Sequence, residues 1–167
     1  MLSLSMRSNA QHEANAPSKI ALQYADSLLS AYRLQNWNSY IEISYPGLIT
    51  YFGGRKGFEK YLERSWQITT VAEEPVRTEL YQLINEAEEW QCVIKKTSRA
   101  VIDGRKAQII NYLIGQSRDA GKSWQYVDLA FASTRNLPAI MPDVFNQLKV
   151  PDRNIIFEVP EVAHNLD

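Results

Sequence analysis

The chain has 167 residues and a net charge of -1, with 45% hydrophobic and 22% charged residues. This length and composition are typical of one globular domain with a sizeable core. The sequence lacks the basic block of a nucleic-acid-binding protein, and its apolar runs are too short to span a membrane. Neither nucleic acid nor a membrane is therefore expected as a partner.

Cysteine and histidine are too few for the commonest catalytic and metal sites. Cys92 is the only cysteine, which excludes an intrachain disulfide and a thiolate metal cluster. The two histidines, His12 and His164, lie in the terminal segments, outside the periodic part of the chain. A histidine general base is not expected, and the sequence predicts no metal and no cofactor.

Residues 1–16 form the first predicted segment, a tail that precedes the periodic sequence. Ser8-Asn9-Ala10 has the small-x-small pattern of a signal cleavage site, although the basic start and the full apolar run are missing. The tail is interpreted either as the remnant of a secretory signal or as a segment without function. The first interpretation implies export, and the second leaves a cytoplasmic location as the default.

Three helices are predicted in the first half of the chain. The first begins at Ser18, a good N-cap residue, and carries a wide apolar stripe at helical spacing. Trp37 to Ile43 suits a second, shorter helix, and a third follows the turn at Gly53-Gly54. Pro46 ends the second helical pattern, because the residue before a proline avoids the helical conformation. Leu48 to Phe52 is therefore expected to form an irregular apolar link.

A run of antiparallel strands follows these helices. Residues 76–86 form the first strand, and Glu89 to Ile102 and Arg105 to Ser117 form the next two. The turn between the last two is Asp103-Gly104, a strong signal for a type I′ hairpin. This turn fixes the register, so that Ile94 is expected opposite Leu113 and Lys96 opposite Asn111.

The last strand is predicted from Lys122 to Ala132, after a four-residue loop at residues 118–121. In this register Tyr126 lies opposite Leu113, and Asp128 lies opposite Asn111. One sheet face then carries Cys92, Ile94, Leu113, Trp124 and Tyr126, with a polar row of Lys96, Asn111 and Asp128. The other face carries Val93, Ile110, Ile114, Val127, Leu129 and Phe131. A sheet that is apolar on both faces needs a cover on each.

The C-terminal part of the chain is predicted to contain one more helix and one more strand. Ser133 or Thr134 is expected to cap the helix, which Pro138 and Pro142 keep short or kinked and which Val150-Pro151 ends. Its apolar residues are Ile140, Met141, Val144, Phe145 and Leu148. Residues 155–157 are expected to add an edge strand or to pack on the body of the domain.

Helices followed by a long antiparallel sheet make an α+β layout. Within it, several motifs resemble bacterial proteins of the nuclear transport factor two-like superfamily, in a subgroup with no assigned activity. They are Tyr45-Pro46-x-Leu48 with Gly53-Gly54-Arg55-Lys56, Gly121-Lys122-Ser-Trp124-x-Tyr126-Val127-Asp128-Leu129, Leu137 to Pro142, and Val150-Pro151. The resemblance extends over roughly residues 18–157.

The resemblance implies a cystatin-like cone, in which a curved, mainly antiparallel sheet of roughly four to six strands wraps around a long N-terminal helix. A pocket is expected between helix and sheet. The resemblance places the domain at residues 17–150 and a C-terminal extension at residues 151–167. Members of this superfamily include ketosteroid isomerases, dehydratases and polyketide cyclases, but also non-catalytic binding or dimerising modules, so the fold leaves the function open. Many enzymatic members have a histidine where this chain has Asp128, which argues against dehydratase and cyclase chemistry.

The polar row is the strongest candidate site. If its face is the concave one, Asp128 lies among aromatic side chains, where a carboxylate can serve as general base. In the structural alternative, Asp128 is held by Asn111 and Lys96, or caps a nearby loop. Four aromatic residues are expected to line the pocket together with the polar row, or else to belong to the hydrophobic core. They are Tyr45 at the pocket mouth, Trp66, Trp124 and Tyr126.

The function expected from these observations is a non-catalytic module that binds a small, largely apolar molecule or serves for dimerisation. The alternative is an isomerase or lyase that uses Asp128 as base and Tyr126 or Tyr45 as proton donor. An open cavity with an unpaired Asp128 favours the enzyme. A filled cone with a hydrogen-bonded Asp128 favours the module.

A homodimer is expected through the outer face of the sheet. The helices are expected to cover only the concave side, which leaves large apolar residues exposed on the other side. They are Ile110, Ile114, Val127, Leu129 and Phe131. The segment from Ile155 to Phe157 is the rival cover, and it would make the protein monomeric.

Overall fold

In the computed structural model, which describes residues 6–68 and 75–159, N-terminal helices precede a curled antiparallel sheet that forms a half-barrel. For residues 6–15 and 68 only the backbone is described. The helices are α1 (Met6–Arg33), α2 (Trp37–Ile43), α3 (Pro46–Tyr51), α4 (Arg55–Ile68) and α5 (Leu137–Ile140). The strands are β1 (Arg77–Glu86), β2 (Glu89–Ile102), β3 (Arg105–Ser117), β4 (Gln125–Asp128) and β5 (Asn154–Phe157). The predicted α+β class and cone-like architecture are thereby confirmed.

The long hairpin of β2 and β3 forms the centre of the sheet, in the strand order β1-β2-β3-β4. Both residues of its turn, Asp103 and Gly104, have positive φ angles of 50° and 74°, as a type I′ turn requires. The predicted strand bounds and pairs are confirmed, including Lys96 opposite Asn111. The short β5 pairs with β3 beyond the end of β4, so the predicted edge strand is present.

β4 is shorter than predicted, and its register differs from the prediction by two residues. It begins at Gln125 and places Tyr126 opposite Gly115 and Asp128 opposite Leu113. Because side chains alternate between the two faces of a sheet, a shift of two residues leaves each one on its predicted face. The polar row is therefore staggered, and its members still share the concave face.

The loop before β4 explains the shift. The carboxylate of Asp119 accepts hydrogen bonds from the Ser117 hydroxyl, the Lys122 N–H, and both the N–H and the hydroxyl of Ser123. These bonds hold residues 117–123 in a compact loop that is longer than the predicted four residues. Pairing with β3 therefore resumes only at Gln125.

α1 begins at Met6 rather than at Ser18, so the helix includes residues 6–16 of the predicted tail. Pro17 lies inside this helix, where it removes one backbone hydrogen bond. The proline is buried beside Gly121, where a β-carbon would come within 2.6 Å of it. This contact packs the helix against the loop before β4. Residues 1–5 of the predicted tail lie outside the described residues.

Two further short helices differ from their predictions. Residues 46–51 form α3 instead of an irregular link. Pro46 occupies the first helical position, where a backbone N–H would have no acceptor within the helix, so the lack of an N–H in proline costs nothing. Tyr45 before it keeps the extended conformation. α5 ends at Ile140, two residues before Pro142, so the predicted helix is wrong for Val144, Phe145 and Leu148, which lie in an irregular segment.

The convex face of the sheet is covered by residues 141–150, which we call the convex cover. Two glutamines of the sheet hold it by one pattern: each donates to a backbone carbonyl of the cover and accepts from the N–H two residues further on. The partners are Asp143 and Phe145 for Gln91, and Gln147 and Lys149 for Gln82, at 2.7–3.0 Å. Val144, Leu148 and Val150 pack against the core beside these bonds.

The convex cover corrects the expectation of a bare outer face. Of the five residues expected to be exposed there, Ile114 and Val127 are fully buried, and Ile110, Leu129 and Phe131 are half-buried. Phe131 lies on the concave side instead, because the chain turns after β4 and brings its ring to 5.5 Å from that of Tyr32. The segment Ile155–Phe157 is not the cover, since it pairs with β3 and stays exposed.

Candidate ligand-binding site

One end of the concave face, which we call the closed end, is filled by Cys92, Gly115, Trp124 and Tyr126 packed under α1. The Tyr126 hydroxyl donates to the Ala21 carbonyl at 2.6 Å, and the Trp124 Nε1–H donates to a backbone carbonyl at 3.1 Å. A β-carbon on Gly115 would lie 2.5 Å from the Tyr126 ring and 2.7 Å from the Cys92 sulfur. The closed end therefore has no room for a ligand.

The titratable groups of the closed end stay protonated. Burial raises the pKa of the Cys92 thiol to about 12, and it also raises the pKa of the Tyr126 phenol. A thiol with such a pKa carries almost no thiolate near neutral pH, so Cys92 is not a nucleophile. Tyr126 was a predicted proton donor, but its hydroxyl is committed to Ala21.

The other end of the concave face, the open end, contains a cavity of about 810 Å³. α1 lines it with Asp26, Leu29, Ser30 and Arg33, which share one helix face at spacings of three and four residues. The sheet lines it with Lys96, Ser98, Ile109, Asn111 and Asp128. Its size lies within the range of about 300–1,000 Å³ that is usual for small-molecule sites.

Three aromatic side chains form an apolar wall of the cavity. Tyr32, Trp66 and Phe131 all line it, and the Tyr32 ring lies 5.4 Å from the Trp66 ring and 5.5 Å from that of Phe131. The tilted and edge-on contacts among them are favourable and hold the rings in place. The wall is therefore a preformed apolar surface.

Asp128 lies in the wall of the cavity and is only 2% exposed. Lys96 Nζ is 2.5 Å from Oδ1 and 2.6 Å from Oδ2. The Ala130 N–H donates to Oδ1 at 2.8 Å, and the Tyr40 hydroxyl donates to Oδ2 at 3.4 Å. Each carboxylate oxygen thus accepts two hydrogen bonds, one from the lysine and one from a turn or helix residue.

Tyr40 is a partner of Asp128 that sequence reasoning missed. It lies on the buried side of α2, together with Trp37 and Ile41. Burial raises the pKa of Tyr40 well above its ordinary value, and the negative charge of Asp128 raises it further. Tyr40 therefore stays protonated and serves as a hydrogen-bond donor to the carboxylate.

Asn111 does not hold Asp128, because Asp128 lies opposite Leu113. The Asn111 Oδ1 instead accepts a hydrogen bond from the Tyr112 N–H at 2.9 Å, which directs the Asn111 amide nitrogen away from the backbone. The structural alternative, in which Asn111 and Lys96 hold Asp128 or Asp128 caps a loop, is therefore correct in part. Lys96 and the Ala130 N–H of the following turn satisfy the carboxylate, and Asn111 does not contribute.

The structure brings together four of the seven residues predicted to bind a ligand. Trp66, Lys96, Asn111 and Asp128 line the cavity. Trp124 and Tyr126 fill the closed end, and the Tyr45 hydroxyl donates to Asp143 of the convex cover at 3.1 Å. Tyr45 is therefore not at the mouth of the cavity, because the start of α3 places it against the cover.

Within residues 6–68 and 75–159, no group of three or more His, Cys, Asp or Glu side chains is placed to hold a metal ion. None of the helices in these residues has both the length and the apolar character that a membrane span requires. Comparison of the chain with protein-family models, curated proteins and solved structures gave no significant match. The function has to be argued from the site itself.

Proposed function

We propose that the chain is a non-catalytic module of the nuclear transport factor two-like class that binds a small, largely apolar molecule in the open-end cavity. The observation that carries this proposal is a cavity of about 810 Å³ with an aromatic wall, in which the buried carboxylate is already satisfied. A cavity of this size without a free reactive group is suited to holding a molecule rather than converting it.

The hydrogen bonds of Asp128 are the main argument against catalysis. A general base must present a free lone pair to the proton that it abstracts. Both oxygens of Asp128 instead accept bonds from Lys96 and from one further donor each. The two tyrosines expected as proton donors, Tyr126 and Tyr45, point to partners outside the cavity.

One observation favours the isomerase or lyase alternative. Lys96 and Asp128 both line the cavity. A substrate that bound the Lys96 ammonium group in place of Asp128 would therefore leave the Asp128 carboxylate free to act on that substrate. This alternative requires that Asp128→Asn abolish turnover of a bound molecule. The binding proposal requires only that the molecule still bind.

Native mass spectrometry of the purified protein tests the binding proposal. Wild-type protein is expected to retain a small molecule, or to take one up from a library of apolar compounds. Ser98→Trp places an indole at the cavity wall and should abolish retention, whereas Ser27→Trp on the exposed side of α1 should not. Equal loading of both variants, or no loading of the wild type from any source, would refute the proposal.

We also propose a homodimer through the part of the convex face that its own cover leaves exposed. Tyr81 is 52% exposed and contacts Tyr112 edge-on, and Lys95 pairs with Glu79 beside it. Light scattering after size exclusion should give twice the chain mass for wild type and the monomer mass for Tyr81→Lys. A wild-type mass of 19.2 kDa at micromolar concentration contradicts this dimer.

A further inference from the structure

The open-end cavity contains hydrogen-bond donors that have no acceptor among the described residues. Asp128 is satisfied by Lys96, and Asp26 accepts a hydrogen bond from the Thr78 hydroxyl at 2.6 Å. Asn111 has committed its oxygen to the Tyr112 N–H, and its amide nitrogen has no acceptor among the described residues. Each carboxylate thus accepts at least one hydrogen bond, whereas the Asn111 N–H₂ group has no acceptor among the described residues.

The Asn111 amide nitrogen faces the cavity. The residue is only 6% exposed and lines the cavity wall. No fully buried side-chain polar atom lacks a partner in the part of the chain that the structure describes, so this nitrogen reaches the cavity space. Because the carbonyl oxygen is held by Tyr112, the orientation of the amide is fixed. Asn111 therefore presents two N–H donors to whatever occupies the cavity.

Arg33 and Arg153 extend this excess of donors toward solvent. Arg33 belongs to the face of α1 that lines the cavity, one turn beyond Leu29 and Ser30. Arg153 lines the cavity just before β5, and its neighbour Asn154 is paired with Ile110 of the convex face. Since alternate residues of an extended chain point to opposite faces, Arg153 is on the concave one. Among the described residues, neither guanidinium has a carboxylate within ion-pair distance.

Arg77 also contacts the edge of the cavity, but it does not belong to this group. It is paired with Thr97, which places it on the convex face, and it lines a small groove there as well. The donor group of the cavity therefore consists of Arg33, Arg153 and Asn111. They come from an α-helix, the segment before β5 and the central strand β3.

We propose that the cavity takes an amphipathic anion. This inference rests on the proposed binding function and adds the chemical class of the ligand. Its apolar body lies on the wall of Tyr32, Trp66 and Phe131, and its acidic head, a carboxylate, sulfonate or phosphate, accepts hydrogen bonds from the donor group. An acceptor-only head satisfies amide and guanidinium donors together, and its charge strengthens each bond.

Two fluorescent probes with nearly the same apolar body test the charge. Anilinonaphthalene sulfonate is an anion, and N-phenylnaphthylamine is its uncharged counterpart. In an uncharged apolar cavity the neutral probe would bind at least as tightly, because it is the more apolar of the two. The proposal predicts the reverse, with the sulfonate bound about tenfold more tightly at low salt, and a difference that shrinks as salt screens the exposed arginines.

Matched double variants assign this preference to the two arginines. Arg33→Gln/Arg153→Gln should remove most of the tenfold preference for the sulfonate and leave binding of the neutral probe unchanged within about twofold. Arg64→Gln/Arg135→Gln changes the net charge equally at exposed positions away from the cavity, and it should leave both affinities as in wild type. Asn111→Leu should weaken the sulfonate more than the neutral probe.

The outcomes of the probe experiments distinguish the anion proposal from the binding proposal on which it rests. If both probes bind, Ser98→Trp abolishes both, and the cavity arginine variant selectively weakens the sulfonate, the anion proposal is supported. If both bind in the cavity but the neutral probe binds equally well, or both double variants behave alike, the anion proposal fails and the binding proposal stands. If neither probe binds, or Ser98→Trp affects neither, both proposals fail.

Discussion

The two ends of the concave face are built from similar residues but differ in how their polar groups are used. At the closed end, Tyr126 and Trp124 each donate to a backbone carbonyl, and the space between them is filled. At the open end, the Lys96–Asp128 pair is satisfied, but the Asn111 amide nitrogen has no acceptor among the described residues, and an aromatic wall borders a cavity. Buried residues at the two ends therefore cannot be divided into structural and binding residues by burial alone. A polar group that has no hydrogen-bond partner within the protein marks a binding residue.

This difference places stability and binding in separate parts of one sheet face. The closed end joins α1 to the sheet, so changes there are expected to act on folding. The open end has two layers: the buried ion pair belongs to the fold, and the residues beyond it border the cavity. The variants described next test this division, beginning with the largest expected effect.

Lys96→Met breaks the buried ion pair and leaves the Asp128 carboxylate without its cation. Removing one member of a buried pair typically costs about 3–5 kcal/mol, because the remaining charge stays desolvated. Urea denaturation should show a loss of this order. Lys95→Met is the matched control on the opposite face: its partner Glu79 is largely exposed, so the loss should stay below about 1 kcal/mol. Equal losses would show that Asp128 does not depend on the pair.

Gly115→Ala tests whether the closed end is filled. The new methyl group would lie 2.5 Å from the Tyr126 ring and 2.7 Å from the Cys92 sulfur, so overpacking should cost about 3 kcal/mol in thermal or urea unfolding. Ser98→Thr adds one methyl group at the cavity wall and should change stability by less than about 0.5 kcal/mol. A harmless Gly115→Ala would remove the contrast between the two ends.

Asp128→Asn separates the structural role of Asp128 from a catalytic one. The substitution weakens charge-assisted hydrogen bonds to Lys96 and the Ala130 N–H, at a cost of about 1–3 kcal/mol in unfolding free energy. Binding of the neutral naphthylamine probe should change little. Unaltered stability would contradict the structural role, and loss of turnover of an identified substrate would support the enzyme alternative.

Asp119→Asn is expected to have the smallest effect and to depend on pH. Hydrogen bonds from Ser123 and Ser117 lower the pKa of Asp119 from 3.8 to about 2 in the folded protein. A lowered folded-state pKa stabilises the fold above the unfolded value of 3.8, and this contribution is lost as the pH falls toward 2. The carboxylate is exposed, so the difference from wild type should be below about 1 kcal/mol at neutral pH. It should vanish below the folded-state pKa, and a difference that persists there would contradict this origin.

The hairpin and its faces could be predicted from the sequence because a single local signal determines them. Asp103-Gly104 fixes one turn, and the alternation of side chains then assigns every residue of β2 and β3 to a face. Lys96 and Asn111 could therefore be placed on one face without knowledge of the rest of the fold, whereas Asp128 kept its predicted face only because β4 is shifted by an even number of residues. The position of β4 could not, because the loop length depends on side-chain bonds of Asp119 that residue spacing does not reveal.

The remaining site residues depend on tertiary packing. Arg33 lies on a polar edge of α1, and only the angle of the helix against the sheet brings it to the cavity. Phe131 has the spacing of a convex strand residue, but the turn after β4 moves it to the other side. The convex cover also escaped prediction, because its apolar residues Val144, Phe145 and Leu148 are part of a predicted helix. Glutamine side chains of the sheet hold its backbone in an irregular conformation instead.

The convex cover also determines the order in which the fold can be completed. Its anchors lie far upstream: Gln91 is 52 and 54 residues before its cover partners, and Gln82 is 65 and 67 residues before its own. During synthesis, which proceeds from the N-terminus, all four strands of the main sheet emerge before residue 149. If the sheet forms as it emerges, Ile114 and Val127 face water until residues 141–150 follow. The convex cover thus protects the sheet against aggregation as well as completing the structure.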